Sequence, residues 1–309
     1  MNNNKLNKNL ISKLLAKSSQ SISKPRLTIK QQEHTVECQT PPLLPELRDD
    51  YGAMPVVMAL ARLFHSHRVN HRVEISDQLI ANYKGQNLIY VHGGRLTYID
   101  EELLMALFLI YSRTNTPLTK NEHVRVRISE LREFLGWTRG GKNNEKIYSR
   151  LEVMRAATFA LCSVDFDAET DQGTRQTFNI LSFLKYDRGE IEYALDPKWS
   201  QIFSEFPLTL INLEERLTLS PHARVIHRLL STSKNARQSF PESRLFMFIG
   251  WEGSRIHDFW YAMRDASQEL QSRHLIKNFT IYKSASGERI ISYVVNQAVL
   301  KPRMGRNRS

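Results

Sequence analysis

The chain has 309 residues, of which 41% are hydrophobic and 24% are charged, close to the averages of folded proteins. This composition excludes collagen, mucin and coiled-coil proteins, and the length allows two domains that each bury a core. The net charge is +11, from 43 Lys and Arg against 32 Asp and Glu, which favours a polyanionic partner such as nucleic acid or an acidic membrane.

Neither secretion nor membrane insertion fits the sequence. Two cysteines, Cys38 and Cys162, are too few for a disulfide framework or a cysteine-based zinc site, as is usual in a reducing compartment. The longest apolar run, from Leu103 to Tyr111, is about half of the ~20 residues that a transmembrane helix needs. The N-terminus lacks the apolar core of a secretory signal. We therefore expect a cytoplasmic protein.

Residues 1–50 predict a disordered basic arm, because they are rich in polar residues and carry seven Lys or Arg and no acid among the first thirty. Order is expected from Tyr51, with a short helix, two strands and then a strongly apolar helix that Asp100 caps. Farther along, Ser129 can begin a short helix that ends in F-L-G-W. A T-R-G-G turn and a long helix through Leu161 follow, which together predict a helix–turn–helix unit.

The tetrapeptide F-L-G-W at 134–137 returns as F-I-G-W at 248–251, and the flanking elements repeat with it. Each unit shows two helices, a turn, a third helix and a hairpin, which is the layout of a winged helix. We predict an α+β fold with two tandem winged-helix domains. The expected boundaries are a disordered basic arm at 1–50, an N-terminal winged-helix domain at 51–200, a C-terminal winged-helix domain at 201–298 and a basic tail at 299–309. Winged helices that serve only packing or protein contact are the alternative.

Arg, Lys and Asn side chains cluster around the first turn of the first domain's third helix, and Ser254 and Arg255 lie at the matching turn of the second. These residue types contact phosphates and base edges. The candidate DNA-binding residues are Arg139, Lys142, Asn143, Asn144, Lys146, Arg150, Ser254, Arg255, Lys283 and Arg289. A solvated helix start, with one Asn as its cap, is the structural alternative. The hairpin with the tip 165–175 is expected to be the first wing. Since that tip is acidic, only the second wing, with Lys283 and Arg289, is expected to reach DNA.

No catalytic motif is present, and we expect neither enzyme activity nor a cofactor. The sequence lacks a phosphate-binding loop and a G-x-S-x-G elbow. His65, His67 and His71 are close in sequence, but no cysteine accompanies them, so we expect surface histidines and no metal.

Three stretches together resemble the TrfA-type plasmid replication initiators: M-P-V-V-M-A-L-A-R-L-F from Met54, G-G-R-L-T-Y-I-D-E-E-L-L-M-A-L from Gly93, and L-R-E-F-L-G-W-T-R-G-G-K-N-N-E-K-I-Y-S-R-L from Leu131. The resemblance covers about residues 51–296. It implies a protein that binds direct repeats, called iterons, at a plasmid origin and helps to open an AT-rich region. A winged-helix repressor and a site-specific nickase are the rival functions.

The resemblance also implies partners. They are double-stranded origin DNA, single-stranded AT-rich DNA, a second copy of the chain, and the host initiator, replicative helicase and sliding clamp. Leu63 and Phe64 match the Leu-Phe with which such initiators bind the clamp. Ala59 and Leu60 stand where clamp motifs usually have a glutamine, so a core role for Leu63 and Phe64 is the alternative.

Overall fold

A computed structural model describes residues 51–66, 74–114, 122–166, 173–253 and 255–300, all of which belong to one compact unit. The predicted basic arm, and the basic tail from residue 301, lie outside these ranges. Within the described ranges the elements follow the order expected for two winged helices, so the predicted α+β fold is confirmed.

The first winged helix is built around an almost wholly buried helix, α2. The elements up to its end are β1 (Tyr51–Pro55), α1 (Val56–Ala59), β2 (Glu74–Tyr83), β3 (Gln86–Gly94) and α2 (Tyr98–Ser112). A helix that is apolar on all sides is stable only inside a core, and Ile110 is the one α2 residue that is not buried. Asp100 was expected to cap this helix. The cap is Thr97, and Asp100 lies three residues later, where it accepts a hydrogen bond of 2.6 Å from the Thr97 amide.

The helix–turn–helix unit and its sheet follow α2. They consist of β4 (Val124–Arg127), α3 (Ile128–Phe134), α4 (Gly141–Ala156), β7 (Leu181–Asp187) and β8 (Glu190–Leu195). The strands form an antiparallel sheet in the order β4-β8-β7. In a winged helix the strand in front of the second helix pairs with the wing hairpin. The wing of this domain is therefore the β7-β8 hairpin, whose turn contains Arg188 and Gly189 at positive φ.

The prediction of the first wing was wrong for this reason. The hairpin expected there does form, from β5 (Thr158–Ser163) and β6 (Arg175–Asn179), but it extends a different sheet in the order β2-β3-β5-β6. Phe159 and Phe178 face each other across it and enter the core. The acidic tip at 167–172 lies outside the described residues. The hairpin is an insertion between the third helix and the wing.

The second winged helix has the same order without the insertion. Its elements are α7 (Pro221–Ser231), β10 (Arg237–Pro241), α8 (Glu242–Ile249), α9 (Ile256–Ser272), β11 (Ile276–Lys283) and β12 (Arg289–Val295). The sheet order β10-β12-β11 is equivalent to β4-β8-β7. The remaining elements are α5 (Lys198–Glu205), β9 (Leu208–Asn212), α6 (Leu213–Thr218) and α10 (Gln297–Leu300).

Each winged helix has its own hydrophobic cluster. The first runs from Met54 to Leu213, and the second from Leu219 to Leu300. Strand β1 pairs antiparallel with β9, from Tyr51 opposite Asn212 to Pro55 opposite Leu208. The domain boundary expected at residue 200 stays a prediction. Along the chain, the two clusters adjoin between Leu213 and Leu219.

The repeated tetrapeptide has the same conformation in both domains. Gly136 follows α3 with φ of 67°, and Gly250 follows α8 with φ of 66°, the left-handed conformation that ends helices. Trp137 and Trp251 are half-buried, and each packs against its own domain's cluster. Each Trp also contacts the next helix, Trp137 through the Lys146 ammonium at 4.3 Å and Trp251 through the Phe259 ring at 5.5 Å. The tetrapeptide thus ends one helix and positions the next.

These glycines give a matched pair of substitutions. Gly136→Ala should lower the free energy of unfolding by about 1 kcal/mol, because a side chain is strained at this φ while the space around it is open. Gly250→Ala should cost clearly more, since a Cβ there would also overlap the His65 ring of the other domain. Urea unfolding of both variants measures the difference. Equal losses would contradict close contact between the domains at Gly250.

Candidate nucleic-acid interface

The first helix–turn–helix unit presents two exposed basic side chains at its turn. Arg139 and Lys142 are exposed immediately before and at the start of α4. The Asn143 side chain donates a hydrogen bond of 2.8 Å to the Thr138 carbonyl, which shapes the turn. Of these three residues, Arg139 and Lys142 are therefore positioned to meet a phosphate or a base, and Asn143 holds the turn that carries them.

The next two candidates contact other parts of the same unit. Asn144 accepts a hydrogen bond of 3.1 Å from Arg132 of α3, which links the two helices across the turn. Lys146 lies over the Trp137 ring. Both side chains are partly exposed, so they remain within reach of DNA while they stabilise the turn.

The Arg150 guanidinium is bound to groups within the protein. Its Nε donates to Asp100 Oδ1 at 2.6 Å, its Nη2 pairs with Asp100 Oδ2, and the same Nη2 donates to the Arg95 carbonyl at 3.1 Å. The Asp100 side chain is fully buried. The sequence pattern suggested a DNA contact because Arg150 is basic and lies on the third helix. In the structure it joins α4 to the start of α2.

This difference is measurable. Arg150→Ala should lower the melting temperature, since it leaves the buried Asp100 carboxylate without its cationic partner, and should leave the salt dependence of DNA binding unchanged. Arg139→Ala should have the opposite pattern, with a log–log salt slope reduced by about 0.9 for one lost phosphate contact. Thermal unfolding and binding isotherms at several salt concentrations test both variants. A reduced salt slope for Arg150→Ala would contradict its structural role.

In the second domain a groove of about 260 Å³ lies between α9 and the wing, lined by His257, Trp260, Tyr261, Arg264, Ile281 and Arg289. Tyr261 is 52% exposed, and the His257 ring lies 4.8 Å from it. The candidate Arg255 is exposed at the start of α9, whereas Ser254 lies outside the described residues. This surface combines guanidinium groups with aromatic faces, a combination that suits contact with DNA.

The second wing supplies the other predicted cations. Lys283 is exposed at the end of β11, and the Arg289 guanidinium lies 5.7 Å from the Trp260 ring centre on α9. Glu288 accepts a hydrogen bond of 3.0 Å from the Ser243 amide, and hydrogen bonds from Ser243 hold the pKa of Glu288 below its ordinary value. The turn of the wing is thereby fixed to the start of α8.

His257, Tyr261 and Arg264 were not among the predicted DNA-binding residues. Their spacing of four and three residues places them on one face of α9, and this spacing could have found them. The first wing also differs from expectation, because the exposed side chains of Lys185 and Arg188 lie at the end of β7 and in its turn, beside those of Asp187 and Glu190. It is a mixed surface, in contrast to the acidic one predicted.

Leu63 and Phe64 are buried, with 2% and 0% of their surface exposed. The Arg228 guanidinium of the second domain covers the Phe64 ring at 5.7 Å and donates to the Phe64 carbonyl at 3.4 Å. A clamp that bound these two side chains would first have to separate the domains at this point.

The histidine cluster is only partly described. His65 is half-buried against Gly250, whereas His67 and His71 lie outside the described residues. Among the residues with described positions, no group of three or more His, Cys, Asp or Glu could hold a metal ion. In the same part of the chain no helix is long and apolar enough to cross a membrane.

Two helix–turn–helix units, each completed by a hairpin that pairs with the strand before its second helix, define a protein of the tandem winged-helix class. Residues 82–231 match the family model described as Rep3_N, Initiator Replication protein, WH1. The matched stretch is similar to this family of replication initiators, which confirms the resemblance to plasmid replication initiators.

Two crystal structures of domains 2 and 3 of RctB have a similar fold. One aligns with a TM-score of 0.53 at 10% identity and covers 78% of this chain and 98% of the crystallised domains. The other aligns with a TM-score of 0.51 at 12% identity and covers 79% and 98%. At such identities the similarity shows the fold alone. Comparison with curated proteins gave no match.

Proposed function

We propose that this replication initiator binds direct repeats at a plasmid origin and favours the opening of an adjacent AT-rich region. It acts through binding energy and catalyses no reaction. The observation that carries the proposal is the presence of two basic helix–turn–helix surfaces in one compact unit, Arg139 and Lys142 in the first domain and Arg255, Arg264 and Arg289 in the second. Two such surfaces suit a bipartite repeat.

The third helices and the second wing are expected to contribute differently to DNA binding. Side chains at the start of a third helix reach base edges, whereas wing side chains meet the phosphate backbone. At least one of Arg139→Ala, Lys142→Ala and Asn143→Ala should therefore cost about 1–3 kcal/mol on the repeat and relax preference at one base pair. Lys283→Ala and Arg289→Ala should weaken specific and non-specific binding equally, each reducing the log–log salt slope by about 0.9.

Binding isotherms on a duplex with one repeat and on a scrambled duplex, each at several salt concentrations, test this proposal. Arg273→Ala is the matched control, because this exposed arginine follows the far end of α9 and its loss makes the same change in net charge. If the wild-type protein does not distinguish the repeat from the scrambled duplex, the proposed function fails. If the wing variants change base preference instead, the roles of wing and helix are reversed.

A nicking assay on supercoiled origin DNA with magnesium or manganese tests the absence of catalysis. Cleavage that depends on one tyrosine would overturn this part of the proposal. We further propose that the protein acts in the cytoplasm, contacts single-stranded AT-rich DNA, self-associates and recruits the host initiator, helicase and sliding clamp. A clamp contact through Leu63 and Phe64 requires an opened form, because both side chains are buried.

A further inference from the structure

Three consecutive acids, Asp100, Glu101 and Glu102, lie near the start of α2, and all three are fully buried. Acids at a helix start usually lie in solvent, where they interact with the helix dipole. Here each one is paired with arginines from other elements. Asp100 was expected only to cap α2, and DNA binding gives no reason for the burial of three acids.

The partners of the acids come from both domains. Asp100 pairs with Arg150 of α4, the third helix of the first winged helix. Glu101 Oε2 lies 2.7 Å from nitrogens of both Arg216 and Arg228, and Glu102 pairs with Arg216 at 3.3 Å and with Arg224 at 2.8 Å. The last three arginines belong to α6 and α7, in front of the second helix–turn–helix unit. The ion-pair network therefore leads from α4 through α2 into the second domain.

Two further contacts connect the first domain to the second helix–turn–helix unit itself. The Ser66 amide and hydroxyl both donate to the carbonyl of Ile249, the last residue of α8, at 3.0 Å. Arg95, just before α2, pairs with Glu252 in the turn between α8 and α9. Both ends of the turn that presents α9 are thus attached to the first domain.

A buried ionic interface is more restrictive than an apolar one. Burial raises the pKa of Glu102 against the opposing effect of Arg216 and Arg224, and lowers that of Arg228 against the effect of Glu101, so desolvation is substantial for these groups. Such pairs are stable only in close geometry, whereas apolar surfaces can slide and repack with little loss. Glu101 shared between two guanidinium groups permits few relative positions of the domains.

We infer that the Asp100-Glu101-Glu102 network, together with the Arg95–Glu252 pair at the turn before α9, fixes α4 and α9 at one separation, so that the protein accepts two DNA half-sites at one spacing only. This inference rests on the proposed binding of duplex repeats. The acids and arginines are positioning residues, which act on DNA through the placement of the two third helices. Loss of the network should therefore change the tolerated spacing more than the affinity for the natural site.

The experiment uses the full chain and a duplex that carries one repeat from the DNA beside the gene, with its two half-sites defined by a wild-type footprint. In a second duplex two base pairs are inserted between the half-sites, which turns one half-site by about 70° around the axis. The test variant is Glu101→Leu with Arg228→Met. It removes one acid and one base together and leaves Arg216 and Arg224 paired with Glu102.

The ratio of the Kd values for the two duplexes is the readout, measured well below the melting temperature. Wild type should lose about 100-fold in affinity on the spaced duplex, a loss of the size that one or two mismatched base pairs cause. The double variant should lose about tenfold or less. Asp77→Asn with Arg175→Gln is the matched control, because it removes the exposed ion pair between β2 and β6 and should keep the wild-type ratio.

A double variant that folds and keeps the wild-type ratio overturns the inference. Should that variant fail to fold, Arg95→Gln with Glu252→Gln replaces it, since Glu252 is 60% exposed and this pair is simpler to remove. This replacement must also reduce the ratio, and an unchanged ratio overturns the inference as well. If wild type does not prefer the repeat over a scrambled duplex, the proposed function itself fails, and this control separates the two failures.

Discussion

Phe64→Ala should lower the free energy of unfolding by about 3–5 kcal/mol, and Leu63→Ala by about 2–5 kcal/mol, because both side chains lie in the first hydrophobic cluster. Phe64 should be the more damaging position. Its ring also lies beneath the Arg228 guanidinium, so its removal leaves a cavity next to the ion-pair network. Urea unfolding of the single variants measures these losses.

Arg62→Ala is the control for this experiment. Arg62 is exposed, although it is adjacent to the pair, and its backbone amide bonds to the Ile80 carbonyl in either variant. Its substitution should change stability by less than about 0.5 kcal/mol. A normal unfolding free energy for Leu63→Ala and Phe64→Ala, together with loss of sliding-clamp binding, would instead support the clamp role that the resemblance implied.

Much of the fold could be predicted from local sequence signals. The tetrapeptide at 134–137 and 248–251 carries its structural information within a few residues, because a glycine in the left-handed conformation ends a helix and the next Trp packs on the core. The apolar run of α2 likewise predicted a core helix from consecutive residues alone. These signals depend on neighbours in the chain, so they could be identified without knowledge of tertiary contacts.

The first wing was mispredicted because strand pairing is not local. Residues 158–179 have the alternation and the turn residues of a hairpin, and they form one. Its place in the fold depends on which sheet edge it meets. Strand β3 accepts β5, while the edge of β4 is taken by β8, whose partners include Val124 and Val126. The alternation of apolar and polar residues shows that a strand forms, but it does not show which of these two sheet edges the strand joins.

Arg150 and the acids at 100–102 show the same limit for charged residues. A basic residue on a third helix predicts DNA contact, and acids at a helix start predict a solvated surface. The partner of Arg150 is 50 residues away in sequence, and those of Glu101 and Glu102 are more than 100 away. Only the packed structure shows that these charges neutralise each other inside the protein.

His227→Leu should make the protein markedly less sensitive to acid. His227 is fully buried on α7, and neither of its ring nitrogens has a hydrogen-bond partner among the described residues. Burial, together with the nearby positive charge of Arg216, lowers the pKa of His227 from 6.5 to about 3. The ring is therefore neutral in the folded protein throughout the range in which the unfolded chain takes up a proton.

The sign of the effect follows from proton linkage. Above pH 6.5 neither state binds the proton, and His227 contributes no pH dependence. As the pH falls from 6.5 towards 3, His227 is protonated only in the unfolded chain, so the folded state loses stability continuously. The loss is complete below the folded pKa. From these two values, wild type should lose about 2 kcal/mol between pH 7.5 and pH 5 through this residue alone.

Urea unfolding at pH 7.5 and pH 5 tests this expectation. At pH 7.5 His227→Leu should be within about 1.5 kcal/mol of wild type, because the side chains are similar in volume and two unpaired polar atoms are removed. At pH 5 it should retain about 2 kcal/mol more of its pH 7.5 stability than wild type does. His257→Leu, at an exposed position on α9, controls for loss of a histidine as such. Equal losses for His227→Leu and wild type would show that this ring is protonated in the folded protein, and hence that the core beside Arg216 admits water.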